Sequence, residues 1–336
     1  MSPVSAHNVE PAVFSCAEEV VWRHAQSDTQ RKLLLEALTA LRDDCAERPQ
    51  DPVLCIRLPL HTWAATGAPV AGGFPLAAAT TLLYAGIDLL DDLADGDLHP
   101  RWTVFRPSEV HLAATTMMCC LPALALETLD VTPARRETLL QTMARHLLTM
   151  SAGQQADLRL QRSEAPLGRD VEAAVAAKSG EELALYATLG ALAAGASPDR
   201  ADAFAEYGRW LGQAGQLASD CHDLFEDAYS RDLANGTRTL PIVLYLERLE
   251  GEARAQFLCL LARAAQDADA AAEVRTRLRA NGVLRRCAFL VEIHGMRALQ
   301  ALHRAAPQEP ARTWLEALVR GLSFVRRPAP RLDPPR

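Results

Sequence analysis

Apolar residues recur along this chain at helical spacing. Leu33, Leu34, Leu38 and Leu41 fall on one helical face, and Leu183, Leu189 and Leu192 repeat the pattern later. No run of alternating β-branched residues competes with it. Proline and glycine cluster near residues 48–52, 67–75, 96–107, 163–168, 195–198 and 235–241, and the segments between them have the length of ordinary or long helices. No fixed-period repeat and no low-complexity linker divides the chain. The pattern predicts an all-α protein with a single helical domain over residues 11–325. Residues 1–10 and the Arg/Pro-rich residues 326–336 are expected to be disordered ends.

Composition narrows the class. The 336 residues are 49% apolar and 23% charged, which suits a globular protein. A net charge of -7 lacks the basic footprint of a nucleic-acid binder, so no nucleic-acid partner is expected. None of the eight cysteines forms a Cys-x-x-Cys pair. Reduced thiols in a cytoplasmic protein are therefore expected, not a zinc site. Residues 62–87 carry no formal charge, but Gly67, Pro69, Gly72, Gly73 and Pro75 interrupt them. No transmembrane segment is predicted.

Two acidic runs carry the candidate chemistry. In the first, Gly-Ile-Asp88-Leu-Leu-Asp91-Asp92-Leu-Ala-Asp95, four aspartates fall at i, i+3, i+4 and i+7 and share one helical face. Like charges at that spacing repel. A hard cation such as Mg²⁺, which takes oxygen ligands and shares them with substrate phosphate, would relieve the repulsion. A solvated acidic helix end is the plainer alternative. In the second run, Ser219, Asp220, Asp223 and Asp227 lie close together, with Asp220, Asp223 and Asp227 at i, i+3 and i+7. Two carboxylate helices in one chain are what a multi-metal diphosphate site needs. His222, inside the second run, is given no role. Arg238 follows the Asn235-Gly236 turn, where its guanidinium fork could reach phosphate oxygens or simply face solvent.

Together these segments resemble the trans-polyprenyl synthase family of class I isoprenoid synthases. Asp91-Asp92-Leu-Ala-Asp95 matches that family's DDxxD motif. The second run resembles its second aspartate-rich motif, and a basic residue and Thr239-Leu-Pro241 follow it. Gly153-Gln154-Gln-Ala-Asp157-Leu and Lys178-Ser-Gly resemble two further family segments, in the right order. The resemblance implies a helical bundle around a deep apolar cavity with the acidic motifs facing each other at its mouth. It implies an allylic prenyl diphosphate as substrate, with three Mg²⁺ ions as cofactor and Asp91, Asp92, Asp95 and Lys178 as catalytic residues. Asp91 and Asp95 would hold two ions. Asp223 would help hold the third, with Asp220 and Asp227 on the same face and Ser219 opening the motif. Lys178, Arg101 and Arg238 would contact the diphosphate. The family is commonly dimeric, so a homodimer is compatible with the resemblance.

Departures from the family bear on the reaction. The Gly-Gly-Lys segment that holds isopentenyl diphosphate is matched here by Gly72-Gly73-Phe74, without a cation. Tyr84 stands at a family histidine, and an Arg-Arg pair is reduced to Arg101. Ser219, Asp223 and Asp227, spaced four apart, are loosely similar to the mixed metal motif of terpene cyclases. Ile87 and Gly86 occupy the positions that cap the growing chain in the family, and Gly86 would leave room. Phe74, Tyr84, Gly86 and Ile87 are thus expected to shape the cavity. The favoured expectation is a terpene synthase that ionises one allylic diphosphate and cyclises it or quenches it with water. The alternatives are a chain-elongating synthase using Arg57, Arg101 or Arg106 for the second diphosphate, a prenyltransferase acting on a non-diphosphate acceptor, and a non-catalytic subunit.

Overall fold

The computed structural model describes residues 9–48, 53–96, 98–161, 163, 165–226 and 229–324. Every regular element among them is helical. The N-terminal part runs α1 (Glu10–His24), α2 (Asp28–Glu47), α3 (Leu54–Ala64), α4 (Phe74–Asp95), α5 (Pro107–Cys119) and α6 (Leu121–Glu127). The long α7 (Pro133–Leu160) leads to α8 (Gly168–Val175), the π-helical turn Ala176–Gly180 and α9 (Glu181–Ala193). Then come α10 (Pro198–Phe225), α11 (Arg231–Asn235), α12 (Leu240–Leu246), α13 (Gly251–Ala264), α14 (Ala268–Ala280), α15 (Val283–Ala305) and α16 (Ala311–Gly321). Among the described residues, the five proline and glycine clusters from residue 67 onward fall at or between α-helix ends, and the cluster at 48–52 lies mostly outside the described residues. Their chemistry explains why. Pro lacks the N–H a helix interior needs but fits a first turn, as at α4, α5, α7, α10 and α12. Gly96 ends α4 in a left-handed conformation with φ 73°.

Two expectations about the chain's layout change. Val9 is buried and Glu10 opens α1, so ordered structure begins before residue 11. The expected disorder of residues 1–8 and 326–336 lies outside the described residues. The glycines and proline expected to break the uncharged run precede α4 or sit in its first turn, so the helix after them is continuous. Residues Val70–Ala94 and Pro107–Glu127 are long and apolar enough to cross a membrane. In the fold, 61% and 44% of these two windows are buried against the rest of the chain.

The apolar core has two parts. One gathers α1–α7, α9, the first half of α10, the end of α15 and α16. The other gathers α8, the second half of α10 and α11–α15. Helix α10 belongs to both and packs along α9 and α15. Its approach to α9 depends on missing side chains. A β-carbon on Gly208 would lie 2.3 Å from the Leu183 carbonyl oxygen, and one on Gly212 would lie 2.2 Å from that of Ser179. Backbone cannot yield as a flexible side chain can. Gly208→Ala and Gly212→Ala are each expected to lower stability by at least about 1–3 kcal/mol. Gly215→Ala meets nothing within 4 Å and should be neutral or stabilising by up to about 1 kcal/mol. Urea unfolding midpoints of the three variants test this.

Candidate active site

Six elements build a recess of about 390 Å³: the last turns of α4, the end of α7, α8, the π-helical turn with the start of α9, α10, and the loops around α11. Asp88, Asp91 and Asp92 all line it, as their shared helical face predicts. Asp95 is the last residue of α4, but its side chain lies outside the described structure, and so does Asp227.

Lys178 occupies the middle of the recess wall. Its Nζ donates to Asp91 Oδ1 at 2.9 Å and Oδ2 at 3.1 Å, and it lies 3.7 Å from Asp157 Oδ2. Gln154 Nε2 donates to Asp91 Oδ1 at 2.7 Å. A local device brings these groups together. Lys178 sits in the π-helical turn, a widened turn often found at functional sites. Gly153 of α7 lets that turn come close, since a β-carbon there would lie 2.7 Å from Lys178 N. The small residue of the Gly153-Gln154 pair thus sets the approach, and the amide beside it reaches the aspartate.

Opposite, α10 presents Asp220, buried at 6% exposure. Gln216 Nε2 donates to its Oδ1 at 2.8 Å, and Ser179 Oγ donates to Gln216 Oε1 at 2.8 Å. This relay ties α10 to the turn that carries Lys178. Burial pushes the Asp220 carboxyl up to about 7, and the nearby Asp157 and Asp223 charges add to the rise. Glu182, one helical turn beyond Lys178, is likewise pushed up to about 7 by burial. Asp88 is raised to about 6, first by burial and then by Asp44 and Asp91. It keeps more contact with water than the other two.

The remaining expected residues are placed differently. Asp223 does not line the recess. Its Oδ1 accepts from Arg231 N at 2.9 Å, and its Oδ2 accepts from Ser230 Oγ and from Asp232 N, so it caps the loop entering α11. Ser219 is exposed and lines a neighbouring chamber. Arg101 is drawn away. Its guanidinium donates twice to Asp43 of α2 at 3.1 Å, with Glu36 at 3.7 Å, in a neighbouring hollow that shares Asp88 and Asp92 with the recess. Arg238 does line the recess, half-buried, donating to Gly236 O at 3.1 Å, while its Nε is buried without a partner.

The four residues expected to shape a cavity divide. Tyr84 and Ile87 line the recess. Gly86 does not open space, because a β-carbon there would meet Met118 Cγ at 2.7 Å and Ala114 O at 2.8 Å. It is a packing contact with α5. Phe74 begins α4 at the end remote from the aspartates, about 25 Å along the helix axis from Asp91. The missing cation at Phe74 therefore says nothing about this recess. The apolar space lies elsewhere. The recess shares Tyr84, Glu182 and Gln216 with a chamber of about 450 Å³. That chamber shares Leu54 and Leu183 with a groove of about 1330 Å³ along α1, α3, α10 and α16, where Phe14, Leu211, Trp314 and Leu318 supply apolar wall.

Sequence reasoning overlooked Arg48 and Asp44, at the end of α2, and Glu182. Arg48 and Asp44 line the second chamber beside Asp88. They carry no local signal, because a charged helix end is commonplace. Glu182 had one: it opens a helix otherwise uncharged from Leu183 to Ala193.

Among the described residues, no three His, Cys, Asp or Glu side chains converge closely enough to hold a metal ion by themselves. The donor set nonetheless suits a hard cation shared with phosphate oxygens. Asp220 is a buried carboxylate short of positive charge, and the Oε1 atom of Gln154, beside Asp91, is buried without a partner.

A helical bundle of this kind is an enzyme fold of the class I isoprenoid synthases. The polyprenyl synthetase family pattern matches residues 62–278, and the chain belongs to that family. Solved structures with the same fold include geranylgeranyl pyrophosphate synthetase from Pyrococcus horikoshii, with a TM-score of 0.79 at 18% identity over 94% of this chain and 99% of that one. A decaprenyl diphosphate synthase from Rhodobacter capsulatus has a TM-score of 0.77 at 17% identity, over 93% and 95% of the two chains. A polyprenyl synthase from Caulobacter crescentus, complexed with calcium and isoprenyl diphosphate, has a TM-score of 0.75 at 21% identity, over 96% and 98%. No curated protein matches the chain.

The raised carboxyls make stability depend on pH. Asp220 and Glu182 titrate near 7 when folded but near 4 when unfolded. Between those values the folded chain binds more protons, so their contribution is full below about 4 and is lost as pH rises through 7. Without divalent cations, the melting temperature is expected to be higher at pH 5.5 than at pH 7.5. Asp220→Asn should reduce that difference, as read by calorimetry.

Proposed function

We propose that the recess ionises an allylic prenyl diphosphate with the help of magnesium, and that the cation then cyclises or is quenched by water without a second diphosphate. Asp91, Asp92 and Asp95 from α4 and Asp220 from α10 would hold the metal, three ions on the family pattern. When bound, it supplies the positive charge that neutralises the departing diphosphate. Asp223 is the weaker candidate, because its oxygens already cap the α11 loop. Lys178 would orient the diphosphate against α4, exchanging part of its contact with Asp91 for phosphate oxygens. Arg238 would meet the same group from the other side. The protein walls beyond the recess would keep water from the cation.

One observation carries the single-diphosphate reading: none of the three arginines expected to hold a second diphosphate lines the recess. Arg101 is engaged by Asp43. Arg57 donates to Glu10 and borders the large groove. Arg106 lies at the exposed start of α5. Chain elongation is the second reading, favoured by Arg48 in the adjoining chamber.

The test is incubation of the pure protein and Mg²⁺ with geranyl, farnesyl or geranylgeranyl diphosphate, each with and without isopentenyl diphosphate, followed by mass spectrometry. A hydrocarbon or alcohol formed without isopentenyl diphosphate is expected. A longer diphosphate formed only when it is present would establish elongation instead. Asp91→Ala should lower turnover at least about 100-fold, in the range lost with an electrostatic catalytic group. Lys178→Ala should act mainly by raising KM for the diphosphate. Steady-state kinetics separate the two effects.

A further inference from the structure

Glu182 is unexplained by diphosphate binding. It lies one turn beyond Lys178 on the same side of its helix, about 6 Å deeper along the axis. It lines both the metal-side recess and the chamber that leads to the apolar groove. The substrate's reactive carbons would therefore lie between the diphosphate held at Lys178 and this carboxylate. Among the described residues its one hydrogen-bond donor is Tyr186, whose hydroxyl reaches Oε1 at 3.0 Å, so Oε2 accepts no hydrogen bond. Lys178, Asp88 and Asp91 act on it through space, and burial is the dominant influence. A carboxylate so placed costs stability, because a single neutral donor does not replace its hydration. Leucine or glutamine would fill the position more cheaply. An acidic group retained in such a chamber is a mark of chemistry.

We propose that Glu182 is the interior base that turns the allylic cation into an alkene. The inference rests on the proposed ionisation of a single diphosphate. Ionisation breaks the carbon–oxygen bond, and the diphosphate leaves with the electron pair. A carbon next to the cationic carbon then loses a proton to Glu182 Oε2, and the C–H electron pair becomes the new double bond. The products are a neutral alkene, diphosphate and protonated Glu182, which returns its proton to solvent through the recess. Until then the carboxylate also favours the cation electrostatically, more strongly in this protein-walled chamber than in water. Tyr186 is a positioning residue: it holds Oε1 and leaves Oε2 for the substrate.

The experiment uses the full chain with Mg²⁺ and farnesyl diphosphate, without isopentenyl diphosphate. Alkene, alcohol and released diphosphate are quantified together. Glu182→Gln keeps the shape and removes the base. It is expected to lower the alkene formed per diphosphate released at least tenfold, with alcohol from water capture rising in its place. Tyr186→Phe should shift the same ratio by a smaller factor. A structural role would slow all products together and leave the ratio alone. Unchanged ratios in both variants, with alkene still made by the wild type, would overturn the role of Glu182 and leave the ionisation reading standing. Release of no diphosphate by the wild type with farnesyl, geranyl or geranylgeranyl diphosphate would overturn both.

Discussion

The recess concentrates negative charge where several helices converge. Asp88, Asp91, Asp92, Asp157, Asp220 and Glu182 all open onto one space. Their mutual repulsion has a single lysine at its centre, and Lys178 reaches both Asp91 and Asp157. Everything nearby serves that placement. The π-helical turn displaces Lys178 toward α4, Gly153 lets α7 approach, and the Ser179–Gln216–Asp220 relay ties α10 in. So many carboxylates gathered around one lysine are unfavourable for an empty protein. They suit a protein that binds cations together with a polyanion, the arrangement proposed here for the diphosphate.

Close helix contacts are the means by which the fold meets this cost. The glycines of α10 allow backbone-to-backbone approach to α9 and the lysine turn. Helix α10 is shared between both halves of the core. Asp220, the buried carboxylate of the recess, is thus carried by a packed helix rather than by a loop. Two charged side chains outside the recess have other partners: Asp223, near the end of α10, caps the loop entering α11, and Arg101 pairs with α2.

The route from charge to apolar space has a definite direction. It leaves the aspartates past Tyr84 and Glu182, passes Leu54 and Leu183, and opens along α1, α3, α10 and α16. It does not follow α4 toward Gly86 and Phe74. A hydrocarbon chain anchored at Lys178 by its diphosphate would meet Glu182 before it met bulk apolar wall.

Helical periodicity, the proline and glycine punctuation and the shared face of Asp88, Asp91 and Asp92 were all legible in the sequence. Each is a local property, set by 3.6 residues per turn and by the backbone demands of two residue types. The family membership was legible too, because it rests on ordered short motifs. What stayed hidden depended on direction and distance between helices. Gly86 read as empty space, yet it is filled by Met118 and Ala114 of α5. Phe74 seemed close to the site in sequence, but a helix of rise 1.5 Å per residue carries it to the other end of the bundle. The resemblance implies metal for Asp223 and diphosphate for Arg101, but their partners in the fold come from elements that no periodicity locates. Arg48 and Glu182 reach the site only because α2 and α9 converge on α4. Local rules decide which face a side chain shares, and tertiary packing alone decides what stands opposite it.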